Sequence, residues 1–400
     1  MRTGPEDRKT PDRYGITRFI HGPSPGLEDG AMPKARPKRA VSKGETDVLA
    51  PMASEEADFH DLQYAKRDGV ARITLNRPEV YNAYATGTLR ELSRAVEDAS
   101  VDDSVGVIVL TGTGSAAFCT GGDVREYAER YTQRPRDYWK YMGLFQGAVE
   151  ALLRCGKPTI ARLNGITVGG GNELHLACDL SVAASHVYLG QVGVGVGSVA
   201  CGGATQWLPL AVGDRRARTM LLLNERIPAR KALEWGLVSH VAPSVRRGTQ
   251  LIEEPNPEQV RLAQEGSRDY RIDLTPLDAA VDELSRRLLG MFPECLRYTK
   301  QQVNFWKELG WHSTIGHGRE WLALHFANRE PHEGMTAFVE KRAPDVAGLR
   351  RRLAEGKGGE FLYGRPSRRC AQCGAKGLPE DFAFCGRCGS PVDSLRAPEE

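Results

Sequence analysis

The chain has 400 residues, of which 40% are apolar, enough for one large domain with appendages or for two domains around a sizeable core. Its 54 basic and 51 acidic residues nearly balance, which argues against a nucleic-acid or membrane-surface protein at the level of the whole chain. No apolar run reaches the roughly 18 residues of a membrane span, and the first residues lack the apolar centre of a secretory signal. A cytoplasmic protein with no membrane partner is therefore expected.

Residues 1–57 are rich in Pro, Gly, Lys and Arg with no sustained period, and they predict a disordered tail with Met52 as an alternative start. A core is expected over residues 58–242. Ala71 to Leu75 alternates like a half-buried strand, and Val105 to Leu110 is a continuous apolar run like a fully buried one. Between them Leu89, Leu92 and Val96 mark one face of a helix that starts near Thr86-Gly87-Thr88. The unit recurs with the strand Thr159 to Leu163, an amphipathic helix after Gly171 and the strand Leu180 to Ala184, so the core reads as α/β. Shorter elements follow, up to the strand Leu237 to Val241. Mostly polar residues over 243–273 predict an insertion loop. Helical periodicity returns over 274–350, with Phe305, Trp306, Trp311, Trp321 and Phe326 forming an aromatic stripe suited to core or subunit interface.

A charged, glycine-rich linker spans 351–367 and leads to a cysteine module over 368–392. Cys370 and Cys373 are separated by two residues, as are Cys385 and Cys388, with Gly374 and Gly389 following each pair. That is the spacing of two zinc knuckles. Four thiolates close a tetrahedral structural site with no open position for catalysis, and so short a segment needs the metal to fold. Arg368, Arg369, Lys376 and Arg387 leave open whether such a ribbon docks a protein or RNA. The other five cysteines, Cys119, Cys155, Cys178, Cys201 and Cys295, lack pairing logic and are expected to be reduced, with Cys119 and Cys201 as candidates for the edge of a site.

Two segments carry the chemistry. Phe118-Cys119-Thr120-Gly121-Gly122-Asp123-Val124 and Asn164-Gly165-Ile166-Thr167-Val168-Gly169-Gly170-Gly171-Asn172-Glu173-Leu174 each follow an apolar strand-like run and place glycine where backbone must approach a ligand closely. The second opens a helix whose first turn holds Glu173, a position that also suits a carboxylate merely facing a helix dipole. Together, in this order and at this separation, they resemble the enoyl-CoA hydratase/isomerase (crotonase) superfamily.

The resemblance implies a crotonase-type ββα spiral core with a C-terminal helical region, to which the small zinc ribbon is added. It implies an acyl-CoA substrate, an oxyanion hole made by the N–H groups of Thr120 and Gly170, and Glu173 as acid/base beside the thioester. It also implies that Phe118, Gly121, Gly122, Asp123 and Val124 line the adenine end of coenzyme A and that Tyr81, Asn82 and Ala83 border its pantetheine arm. Gly193 stands where ordinary hydratases have a second glutamate. A homotrimer or hexamer assembled through the C-terminal helices is expected from the same likeness.

A narrower likeness, to the 6-oxocyclohex-1-ene-1-carbonyl-CoA hydrolase branch, rests on Glu126-Tyr127, Tyr131, Tyr138, Tyr141-Met142, Leu144-Phe145, Gly202-Gly203-Ala204-Thr205, Phe292-Pro293-Glu294-Cys295 and Arg319-Glu320-Trp321-Leu322-Ala323-Leu324. That branch adds water to an alicyclic enoyl-CoA and opens the ring. It is read as carrying an acid where this chain has Asn76 and a histidine where this chain has Val196. The leading expectation is therefore water addition to an enoyl-CoA. Ring opening is one alternative, and a non-catalytic binding protein joined by its ribbon to RNA or to another enzyme is the other.

Overall fold

The computed structural model describes Met52 and residues 58–361, 368–379 and 382–392. The tail expected over 1–57 lies, apart from Met52, outside the described residues. In chain order β1 (Leu62–Arg67) and β2 (Val70–Leu75) form a hairpin, followed by α1 (Thr86–Val101), β3 (Val107–Gly112), β4 (Ala117–Cys119), the short α2 (Val124–Glu126) and α3 (Pro135–Arg154). Then come β5 (Thr159–Leu163), β6 (Ile166–Val168), α4 (Gly170–Ala177), β7 (Leu180–Ala184), β8 (Tyr188–Gly190), α5 (Ala204–Val212), α6 (Asp214–Leu223), β9 (Ile227–Pro228), α7 (Ala229–Glu234) and β10 (His240–Ala242).

From β3 to β8 successive strands alternate between two sheets. One runs β1-β2-β3-β5-β7-β10, with only its first pair antiparallel, and the other runs β4-β6-β8-β9, parallel until β9. This is the ββα spiral that the sequence implied. All six residues of β3 and all five of β5 are buried, as a strand covered on both faces requires. Leu89, Leu92 and Val96 of α1 face that core together with Ala95 and Ala99. The helix begins at Thr86, and the Thr88 hydroxyl accepts the N–H of Ala85 at 3.0 Å, so its cap comes from inside the first turn.

Two expectations change. The helix after the glycine triplet is not amphipathic, because every residue of α4 from Gly171 to Ala177 is buried; it threads the interior rather than floating on it. The segment 243–273 is not a loop. It folds as a small antiparallel sheet, β11 (Val245–Arg247), β12 (Gln250–Ile252) and β13 (Tyr270–Ile272), with α8 (Pro257–Gln264) between the last two strands. Asn256 starts α8 by exchanging hydrogen bonds with Gln259, 2.9 Å in each direction. The strand expected over Leu237–Val241 is confined to β10.

The C-terminal region supplies α9 (Thr275–Leu289), α10 (Pro293–Val303), α11 (Phe305–His325), α12 (Arg329–Val339) and α13 (Val346–Ala354). Trp311 stacks on Trp207 at 5.3 Å between centroids, and Phe326 is fully buried against Tyr138, so these two members of the aromatic stripe are core. Phe305, Trp306 and Trp321 are exposed, as are Phe292, Leu324 and Phe338. Buried Lys300 of α10 pairs with Asp179 at 2.9 Å and donates to Leu152 and Lys157 carbonyls, tying this region to the C-terminal end of α3. The cysteine module holds β14 (Arg368–Arg369) and β15 (Lys376–Leu378).

Candidate active site

Sheet geometry brings the two glycine segments together. β4 and β6 lie side by side and parallel, Cys119 opposite Thr167, and β8 continues the sheet with Gly190 opposite Val168. The residues that leave these three strands at their carboxyl ends are thus neighbours: Thr120-Gly121 after β4, Gly169-Gly170 after β6, and Gln191-Val192-Gly193 after β8. Ligands commonly bind at this end of a parallel sheet.

The approach is close enough to demand glycine. Gly169 has φ 56° and ψ −131°, a conformation essentially reserved for glycine, and caps α4. A Cβ on Gly121, itself at φ 94°, would sit 2.9 Å from the Gly170 nitrogen, and one on Gly171 would sit 2.0 Å from the Cys119 carbonyl oxygen. Thr120, Gly170 and Glu173 accordingly line one cavity of about 80 Å³ with Gly121, Gly122, Val124 and Gly193. The cavity is also lined by Tyr127, Tyr138, Met142, Phe145, Val196, Leu322 and Met335.

Glu173 is 2% exposed and sits in the first turn of α4. Its Oε1 accepts the N–H of Gly202 at 2.7 Å and of Ala204 at 3.0 Å. Among the described residues no donor holds Oε2. Burial raises the carboxyl from 4.5 to about 7, against the two backbone bonds, which favour the ion. A carboxyl poised near neutrality can take a proton from water and return it. The Thr120 and Gly170 backbone lies beside it at the N-terminus of α4, the kind of place where N–H groups and a helix dipole favour negative charge.

The remaining sequence candidates border this cavity or brace it. Tyr81 is exposed at the turn, and its carbonyl accepts the Thr120 hydroxyl at 3.3 Å. Asn82 is buried and donates to the Thr113 and Ala117 carbonyls at 3.0 and 2.8 Å while accepting Arg77 N–H, which knits the turn to β3 and β4. Ala83 and Phe118 are buried beneath the turn and in the core. Asp123 caps α2 and pairs with Arg77 at 3.0 Å. Asn76 accepts the Thr113 hydroxyl away from the cavity, whereas Val196 lines it. Cys201 lines the cavity and Cys119 is buried behind Gly171. All nine cysteines are unpaired by disulfides.

Met335 carries no sequence signal at all, since it comes from α12, more than 150 residues beyond Glu173. The Gly202 and Ala204 amides that hold Glu173 were visible as part of a motif but not as hydrogen-bond donors.

In the cysteine module the four thiols converge, with Sγ atoms all within 4.8 Å of one another. Cys370 and Cys388 are 3.5 Å apart and Cys373 and Cys385 3.7 Å, close to the edge of a tetrahedron with metal–sulfur bonds of about 2.3 Å. Gly374 and Gly389, both with positive φ, close equivalent turns onto the carbonyls of Cys370 and Cys385. The residues fit a tetrahedral thiolate-bound metal.

A two-sheet spiral that sets two glycine-flanked amides and one buried carboxyl around a cavity defines an acyl-thioester enzyme of crotonase type. The chain belongs to the enoyl-CoA hydratase/isomerase family, whose pattern it matches over residues 65–268. It is 36% identical over 335 residues to a 6-oxocyclohex-1-ene-1-carbonyl-CoA hydrolase of Geobacter metallireducens, covering 78% of this chain and 88% of that one. The corresponding hydrolase of Thauera aromatica is 35% identical, covering 71% and 82%. Among solved structures, an enoyl-CoA hydratase from Mycobacterium avium subsp. paratuberculosis aligns with TM-score 0.58 at 25% identity, covering 72% of this chain and 99% of that one. An enoyl-CoA hydratase/isomerase from Xanthobacter autotrophicus aligns with TM-score 0.57 at 27% identity, covering 74% and 97%.

Proposed function

We propose that the protein adds water across the double bond of an enoyl-CoA thioester. The observation that carries this reading is the convergence of Thr120, Gly170 and Glu173 on one cavity. The thioester oxygen accepts the N–H groups of Thr120 and Gly170, which stabilise it as charge develops. Glu173 Oε2 takes a proton from water, the oxygen bonds to the β-carbon, and electrons move through the double bond into the thioester enolate. The same carboxyl then returns the proton to the α-carbon, so one carboxyl does both steps and the glycine at 193 removes none of them. Tyr81, Asn82 and Ala83 shape the pantetheine side, and Phe118, Gly121, Gly122, Asp123 and Val124 the path toward adenine.

A specific observation favours ring opening as a second reading: both relatives named above are hydrolases of an alicyclic oxo-acyl-CoA. The cavity of about 80 Å³ is smaller than the roughly 150 Å³ apolar cavity that admits benzene, so a ring enters only if wall side chains yield. Met142 and Met335 are the adaptable ones.

Cys370, Cys373, Cys385 and Cys388 would hold zinc as a structural ion, which would contribute folding energy and no chemistry to the acyl site. The exposed aromatic side chains of the C-terminal region, Phe292, Trp306, Trp321 and Phe338, suit burial between copies of the chain, as in a trimer. The enolate step is tested by proton exchange at the α-carbon of butyryl-CoA in deuterated water. Exchange that depends on Glu173 supports the reading, and no exchange with wild-type protein counts against it.

A further inference from the structure

The lining of the cavity holds a polar group with no role in the hydration chemistry. Tyr127 begins a π-helical turn, Tyr127–Tyr131, closed by the N–H of Thr132 on the Tyr127 carbonyl at 3.0 Å. Such wide turns are uncommon and concentrate at functional sites, because they re-aim a side chain that a regular helix would point elsewhere. Here the turn brings Tyr127 to the cavity. Its Oη fills the space that a Cβ on Gly122 would occupy, 1.6 Å from that position, so the phenol lies directly against the backbone that follows Thr120 and Gly121.

Tyr127 Oη is 2.7 Å from Tyr141 Oη. Two hydroxyls share one hydrogen bond, so one proton of the pair is left over. Tyr127 lines the cavity and Tyr141 lies behind it. Burial is the main reason both phenols are held far above their ordinary value, and it keeps both protonated. Either hydroxyl can donate within the pair, and with Tyr141 as the donor the Tyr127 O–H is free to donate to a ligand. Edge-on contacts of Tyr127 with Tyr141 at 5.2 Å and Tyr138 at 5.9 Å fix its ring.

Given the acyl-thioester reading above, on which this step rests, we propose that Tyr127 is a specificity-determining residue whose phenol O–H, oriented by Tyr141, donates to an oxygen on the acyl group. The site thereby selects oxo- or hydroxy-substituted acyl thioesters over plain hydrocarbon ones. A hydrocarbon acyl group would displace water from the Tyr127 hydroxyl and offer no acceptor, and a buried donor left without a partner is penalised. Of the rest of that lining, Met142, Phe145, Val196, Leu322 and Met335 are apolar and do not tell the two classes apart, and the Tyr138 hydroxyl is engaged with Ser198.

The test is calorimetric binding of cyclohex-1-ene-1-carbonyl-CoA and its 6-oxo analogue to Glu173→Gln protein, which holds both without turnover, with free CoA as a third ligand. About a tenfold preference for the oxo compound is expected, the worth of one neutral hydrogen bond. Adding Tyr127→Phe should bring the ratio close to one, and adding Tyr141→Phe should leave it between the two, with thermal melts confirming that each variant is folded. Equal affinities in the parent protein, or an undiminished preference with Tyr127→Phe, overturn the proposal. Binding of CoA with no gain from either acyl group overturns it while leaving the thioester reading standing; binding of none of the three removes both.

Discussion

The Gly202 amide donates to Glu173 Oε1 at 2.7 Å, and the same glycine leaves the space that Oε2 needs. A Cβ at position 202 would lie 2.9 Å from Oε2 and 2.3 Å from the Phe145 ring. The backbone before α5 therefore both holds the carboxyl and sets which of its oxygens is left unbonded.

Gly202→Ala should consequently lower kcat by roughly 10- to 100-fold, because displacement of a general base by less than an ångström is enough to misalign it. Overpacking against Phe145 should cost about 1–3 kcal/mol of stability. Steady-state kinetics beside urea unfolding separates the two effects. Unchanged kcat in a folded variant would mean that Gly202 does not position the carboxyl.

The raised Glu173 carboxyl makes stability depend on pH. Its folded value, about 7, lies above its ordinary 4.5, so between these values the folded state binds more protons than the unfolded one. Stability from this group is fully present below about 4.5 and is lost as pH rises through about 7, an effect on the order of 3 kcal/mol. Glu173→Gln should thus raise the melting temperature more at pH 8 than at pH 4. An equal shift at both would show that the carboxyl is not perturbed by folding. Hydration should follow the ionised form, kcat/KM rising with pH and levelling off above about 7.

Lys300→Ala would leave Asp179 without its buried partner and the end of α3 without its cation. Removal of one member of a buried pair costs about 3–5 kcal/mol, here lessened because Asp179 is partly exposed and also accepts Thr159 N–H and hydroxyl. Denaturant unfolding should show a midpoint well below wild type. A midpoint within error of wild type would mean that the tie between α10 and α3 contributes little.

Cys388→Ser should abolish retention of zinc by the purified chain, as measured by elemental analysis. The spiral core should keep its own thermal transition, since the four thiols lie beyond residue 367. Full metal retention by this variant would exclude a four-thiolate site.

The glycine segments were legible because only glycine lets two backbones meet as closely as Gly121 and Gly170 do, and the knuckle spacing because turn geometry fixes it. Strands β4, β6 and β8 have three residues each, too few to show a period, so the second sheet could be reached only through the family likeness. The same brevity hid β11, β12 and β13 inside a polar stretch that reads as loop. Tyr127 was visible as part of a family pattern, but its aim depends on a π-helical turn that leaves no sequence signature. Backbone donors such as Gly202 N–H are equally silent, because every residue but proline carries one.

Water addition with Glu173 as its acid/base is tested most directly by mass spectrometry of linear and alicyclic enoyl-CoA thioesters after incubation with zinc-loaded wild-type and Glu173→Gln proteins. A gain of one water with wild type, absent with Glu173→Gln although that variant still binds the thioester, is the expected result; a gain of two waters on the 6-oxocyclohexene thioester would place ring opening after the same first step. Unchanged masses with wild type, or hydration at the wild-type rate by Glu173→Gln, would contradict the assignment.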